Sequence, residues 1–264
     1  MPNVKRWAVR EAGIATFYAL SDFADVGAGE PIVTLKSLKT TGVETTGETV
    51  YARGGRGNAK LVGFSSNRES TLSLQDALFD NEALAMLTGN DIFTGEVEVD
   101  QHEVFTVGDA TATESFTLAA SPLDVSDVHA YKYVDGMKEG AELTKESLNG
   151  KDVEIDTSAM STDDQIIIYY TANTDSETSK VKVTSDNFGG TFKVVIDLIV
   201  VDAVTKAEYA AQMIVPNAKF EDDFNLDLAA EGDPSVLDLT LEVLKSPNNT
   251  DMWELVIYDE SALQ

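Results

Sequence analysis

Short runs of β-branched and aromatic residues, closed off by Gly, Asp, Asn or Pro, recur from one end of this chain to the other. Residues 14–20, 32–38 and 60–64 are such runs. Within 70–74, Leu72 and Leu74 share one side of an alternating pattern, and Val97, Val99, Phe105 and Val107 continue the period of two around a break. That period is the signature of a half-buried strand. Further strands are expected over 181–183, 192–201, 208–215, 224–228, 237–244 and 253–258. Residues 76–87 alone read as a helix, with Leu78, Phe79, Leu84 and Leu87 able to share a stripe. Asp80 or Asn81 would cap its second half, and Gly89 would end it. One helix among so many strands predicts a mainly β fold.

Residues 112–175 have the organisation of a separate module. They hold short strands at 116–118, 129–134, 153–155 and 166–170, with turns supplied by Gly136, Gly140 and Asn149-Gly150. That spacing is sandwich-like. The expected organisation is therefore one β domain, residues 1–111 and 176–264, interrupted by a small β module at 112–175. No internal repeat is evident. At 43% hydrophobic residues a real core is available, despite a formal net charge of −27.

The charge is unevenly spread. Residues 1–69 carry nine Lys/Arg and seven Asp/Glu, whereas residues 70–264 carry ten and thirty-nine. Such a surface repels a nucleic-acid backbone, whose binding needs a basic patch. It suits a wall past which a polyanion slides without sticking, and it leaves a mildly basic N-terminal quarter free to meet acidic protein surface. The chain has no cysteine, which excludes disulfides and thiolate metal sites. Residues 1–7 show no apolar leader, and the longest apolar run, 194–201, is broken by Asp197 and too short to span a bilayer. The expectation is a soluble protein made in a cytoplasm and without a membrane partner. Asn248-Asn249-Thr250 matches a glycosylation sequon, which carries little weight without secretion.

Basic residues and glycine concentrate in Thr49-Val-Tyr-Ala-Arg-Gly-Gly-Arg-Gly-Asn-Ala-Lys60. The glycine–lysine spacing is wrong for a phosphate-binding loop, and no Ser or Thr follows Lys60. The net field opposes RNA binding through the Arg-Gly-Gly-Arg-Gly run. The segment reads as a long, flexible hairpin tip whose Arg53, Arg56 and Lys60 reach carboxylates on a neighbouring subunit. His102 and His129 fall in different expected units, and neither has a second histidine at ligand spacing, so ordinary structural use is expected of both. Asp163-Asp164 and Glu221-Asp222-Asp223 read as solvated or lumen-facing carboxylate. Asn173-Thr-Asp-Ser-Glu177 only hints at a calcium loop and lacks the twelve-residue spacing. No nucleophile elbow is present, and no pair of carboxylates stands out for glycoside hydrolysis. No enzymatic activity, metal or cofactor is expected.

Two stretches resemble major tail (tail tube) proteins of long-tailed bacteriophages. The first runs from Glu44-Thr-Thr-Gly-Glu-Thr-Val-Tyr to Asn67-Arg-Glu-Ser-Thr-Leu-Ser-Leu-Gln-Asp-Ala-Leu78. The second runs from Met213-Ile-Val-Pro-Asn-Ala-Lys219 to Ala230-Glu-Gly-Asp-Pro-Ser-Val-Leu237. The resemblance covers roughly residues 10–110 and 176–260 and implies a tail-tube-type β-sandwich or half-barrel flanked by one α-helix. It implies copies of the chain in rings, usually hexameric, stacked into a tube that conducts double-stranded DNA without binding it specifically. The long loop of one ring would contact the next, and Arg53, Arg56 and Lys60 are the expected contact residues. Other tail proteins would be partners, in a virion tail assembled in the host cytoplasm. The middle segment is similar to the immunoglobulin-like modules on some tail and capsid proteins and is absent from a minimal tube protein. A capsid decoration or minor tail protein, and a bacterial adhesin-type binding module, are the alternatives that the same sequence leaves open.

Overall fold

A computed structural model describes residues 4–108, 110, 112–226, 235–246 and 250–262. The chain divides into two compact units, residues 1–92 with 181–264, and residues 93–180.

The larger unit begins with β1 (Trp7–Ala19), β2 (Pro31–Leu35), β3 (Leu38–Gly54), β4 (Ala59–Asp76) and α1 (Asn81–Thr88). The smaller unit follows with β5 (Phe93–Thr94), β6 (Glu98–Thr106), β7 (Thr113–Thr117), β8 (His129–Val134), β9 (Met137–Glu139), β10 (Lys145–Asn149), β11 (Asp152–Asp156), β12 (Gln165–Asn173) and β13 (Ser179–Lys180). The chain then returns to the larger unit with β14 (Thr191–Asp202), β15 (Glu208–Phe220), β16 (Leu237–Val243) and β17 (Glu254–Tyr258). The protein is mainly β, as its alternating pattern requires.

In the larger unit eight strands form one sheet in the order β2-β1-β14-β15-β16-β4-β3, with β17 also on β15. Strand β15 changes partner along its length. Ala210–Ile214 pair with β17, and Ala218–Phe220 pair with β16. Pro216, which has no N–H to give a ladder, lies between the two pairings, beside a bulge against β14. Alternation along β14 sends Phe192, Val194, Ile196 and Val200 into the core. Phe192 meets Phe17 and Phe220 with ring centroids 6.3 and 5.7 Å away, and Phe17 stacks on Phe220 at 5.8 Å. Leu72 and Leu74 of β4, the alternating leucines of β16, and Ala83, Met86 and Leu87 of α1 complete this core.

Helix α1 is shorter than expected. Asp80 caps it, accepting from the N–H groups of Glu82 and Ala83, and Gly89 ends it at φ 67°. The five residues before Asn81 are not helical. Asp76 still belongs to β4, opposite Leu237 and Leu38, and its carboxylate accepts from the Ser37 hydroxyl and the Leu78 N–H. Ladder and turn therefore claim the groups a longer helix would need.

In the smaller unit two sheets, β10-β11-β7 and β6-β12-β8-β9, share one core containing Phe116, Val153, Ile155, Ala130, Ile166, Ile168 and Tyr170. It is wider than the expected module at 112–175. β6 is full-length partner to β12, from Thr106 opposite Gln165 to Glu98 opposite Asn173, so a boundary at 111/112 would split a continuous ladder. β5 and β13 close the unit, with Phe93 opposite Lys180 and Thr94 opposite Ser179. Residues 181–183 are accordingly not a strand, and the short strands β9 and β10 lack the apolar alternation that marks the others. Phe224–Leu226 is not strand either, and 227–228, most of the expected Gly-Asp-Pro turn at 230–237 and part of the sequon lie outside the described residues.

Candidate functional site

The sheet of the larger unit ends in a ribbon. β4 pairs with β16 only from Asp76 to Thr71. From Ser70 outward its sole ladder partner among the described residues is β3, and the pairing continues from Thr45 opposite Ser70 to Gly54 opposite Ala59. At the root, the Thr45 and Ser70 hydroxyls are 2.8 Å apart, the Trp253 indole N–H donates to Thr45 Oγ1 at 3.2 Å, and Asn67 Nδ2 donates to Glu48 Oε2 at 2.8 Å. The unpaired part of the expected loop shrinks to Gly55-Arg56-Gly57-Asn58. There φ is 75°, 87° and 50° at Gly55, Gly57 and Asn58, the left-handed region that Gly and Asn enter most cheaply.

The ribbon has two unlike faces. Val50 stands opposite Phe64 and Ala52 opposite Val62, and alternation puts all four on one side. Among the described residues nothing covers them: Val50, Val62 and Phe64 are 61%, 52% and 60% exposed. On the other side Tyr51 lies opposite Gly63 and Arg53 opposite Lys60, beside a bulge. The Lys60 ammonium sits 3.8 Å from the Tyr51 ring centroid. The structure thus brings Arg53 and Lys60 together as directly opposed like charges, an arrangement that weakens a hairpin until a carboxylate approaches. Arg56 stands apart at the tip. Among the described residues none of the three forms a salt bridge.

A two-stranded ribbon is marginal in water on its own. This one carries an apolar face and three cations without a carboxylate partner among the described residues, and both would be favourably met by a surface that is itself apolar and acidic. The apolar face escapes sequence reasoning because alternating Val50, Ala52, Val62 and Phe64 look like core until the length of the ribbon is known.

The other residues weighed for chemistry have structural surroundings. Asp175 accepts from the Glu177 N–H and the Thr178 hydroxyl at 3.1 Å each, so residues 173–177 form a carboxylate-held turn. Asp164 pairs with Lys132 at 2.7 Å, and this hydrogen bond, with one from the Ser161 N–H, holds its carboxyl below the usual range. Asp222 takes the Lys219 ammonium at 2.8 Å. His102 and His129 do not lie in different units. Because β6 belongs to the smaller unit, both stand beside Tyr169 of β12, one on each flanking strand.

No curated protein matches the chain. The YomU/Tube protein family matches over residues 18–255, which takes in nearly all of both units. A sheet that runs out into an uncovered ribbon and a match of that extent lead to one conclusion: the chain belongs to the YomU/Tube protein family.

Proposed function

We propose that this chain is a structural tail-tube protein of a long-tailed bacteriophage, and that its copies close into rings, hexameric by resemblance, which stack into the conduit for genome ejection. The observation that carries the reading is the ribbon of β3 and β4. Its apolar face and its three cations are complete only against another subunit, and a stacked ring supplies one at every position. Burying Val62 and Phe64 against a neighbour is worth about 1.5–3 kcal/mol each. Each exposed Arg or Lys pair adds only about 0.2–1 kcal/mol. The apolar face therefore supplies most of the contact energy, while Arg53, Arg56 and Lys60 direct the ribbon toward acidic surface.

The remaining features fit the same reading. Thirty-nine Asp/Glu after residue 69 supply a wall that double-stranded DNA passes without specific binding. Among the described residues β3 pairs with β4 alone, and such an open edge is closed when strands pair between subunits. The two small sheets around one core suit an outward, immunoglobulin-like module. The protein would assemble in the host cytoplasm, join other tail proteins in the virion tail, and need no catalytic group or cofactor. Electron microscopy of the purified protein at high concentration tests the reading. Rings or stacked tubes are expected, and a monodisperse monomer at every concentration and salt would overturn it.

A further inference from the structure

The outer face of the β6-β12-β8-β9 sheet carries a row of rings that the assembly reading does not use. Tyr169 at the centre of the sheet has His129 opposite it on β8 and His102 opposite it on β6. Two residues along, Ile167 lies between Tyr131 and Val104, and beyond it Gln165 lies between Tyr133 and Thr106. Tyr131 meets Tyr169 edge-on at 6.4 Å, and His102 tilts against Tyr169 at 6.0 Å. Ile167 is buried beneath these rings. A shallow hollow opens among them, lined by His129, Tyr131, Lys138 and Tyr169.

We propose that this hollow binds a neutral saccharide, one or two hexopyranose rings within a polysaccharide chain. Three strands about 4.8 Å apart and two-residue steps of about 7 Å give a platform of the right span. Tyrosine rings offer flat apolar walls for the C–H face of a sugar and polar tips at their edges. The hydrogen-bonding groups are of mixed type, as hydroxyls require. Lys138 donates, the phenols donate and accept, and His129 Nδ1 is tied to Glu142 Oε1 at 2.9 Å, which leaves Nε2 an acceptor in the neutral ring.

Charge excludes the other occupants. The smaller unit, residues 93–180, carries five Lys/Arg against nineteen Asp/Glu, a net of −14 that repels a polyanion. A cationic peptide would be repelled by the Lys138 ammonium, which lies 4.4 Å from the Tyr131 ring centroid, whereas a neutral sugar is not.

The test is an array of neutral, anionic and cationic oligomers probed with the full-length protein, followed by titration of the strongest binder. Neutral hexose oligosaccharides should bind. Tyr131→Ala and Tyr169→Ala should each weaken that binding at least tenfold, and His129→Ala, which changes an exposed side chain, at least threefold. Oligolysine should not compete, and Arg53→Glu with Arg56→Glu should leave the affinity unchanged, which separates this site from the ribbon. No binding to neutral sugars, binding confined to anionic polymers or to oligolysine, or unchanged affinity in all three variants of the hollow would overturn the proposal.

Discussion

At Gly13 the first strand has no room for a side chain. A Cβ there would lie 1.2 Å from the carbonyl oxygen of Asp197, at the bulge where β1 slips its register against β14. The nearest obstacle is backbone, which cannot swing away as a side-chain end can. Gly13→Ala should therefore cost at least the ~1–3 kcal/mol typical of overpacking, read as a lower unfolding midpoint in denaturant. Other single residues bear on the response to acid. Hydrogen bonds from the Val204 and Thr205 N–H groups hold Asp202 below the usual carboxylate range, as the Lys132 bond does for Asp164 and the Lys145 and His129 bonds do for Glu142. A folded-state value below the unfolded one means that the unfolded chain takes up protons first. The stabilisation is complete above the ordinary carboxylate range, and it is lost as pH falls below about 4 through the folded values. Thermal melts by circular dichroism from pH 6 to pH 3 should show a falling midpoint at the acid end, and Asp164→Asn should make the fall shallower.

Among the elements, the ribbon and the helix differ in how far their sequence discloses them. Asp80 and Gly89 mark both ends of α1 through capping chemistry that is local and needs no tertiary knowledge. The start expected at 76 fails because Asp76 is claimed by a strand and by Ser37, thirty-nine residues earlier in the chain. The ribbon is the opposite case. Its turn residues and cations are plain in the sequence, but which of its valines are uncovered depends on where β16 stops, and that is a long-range fact. The energetic ranking of the two faces gives a paired prediction. Val62→Ser with Phe64→Ser should abolish ring stacking while the subunit stays folded. Arg53→Glu with Arg56→Glu should weaken stacking most at low salt, where screening is least. Sedimentation across a salt series distinguishes them, since loss of the apolar face should be indifferent to salt.

For the whole molecule, the two-part organisation is legible in turn residues and alternation, but its boundaries are not. Residues 98–106 alternate like any strand of the larger unit, and only the partner fifty-nine or more positions later assigns them to the smaller one. This changes the deletion that should be tolerated. Joining residue 111 to residue 176 would leave β6 without β12, exposing one side of a ladder. Joining Ile92 to Val181 through a short Gly/Ser linker removes a whole unit, so this deletion should still give folded, assembling protein by electron microscopy, whereas the narrower one should aggregate.

The β5–β13 pair has a meaning beyond closure. Phe93 and Lys180 face each other across one antiparallel ladder, about 4.5–5.5 Å apart at Cα. The chain thus leaves and re-enters its host domain at almost the same point. Anything with its ends so joined can be exchanged for another such module, or lost, through a pair of recombination points, and the surrounding sheet need not change a residue. On the proposed reading, what the module binds could then evolve on a different schedule from the tube that carries it.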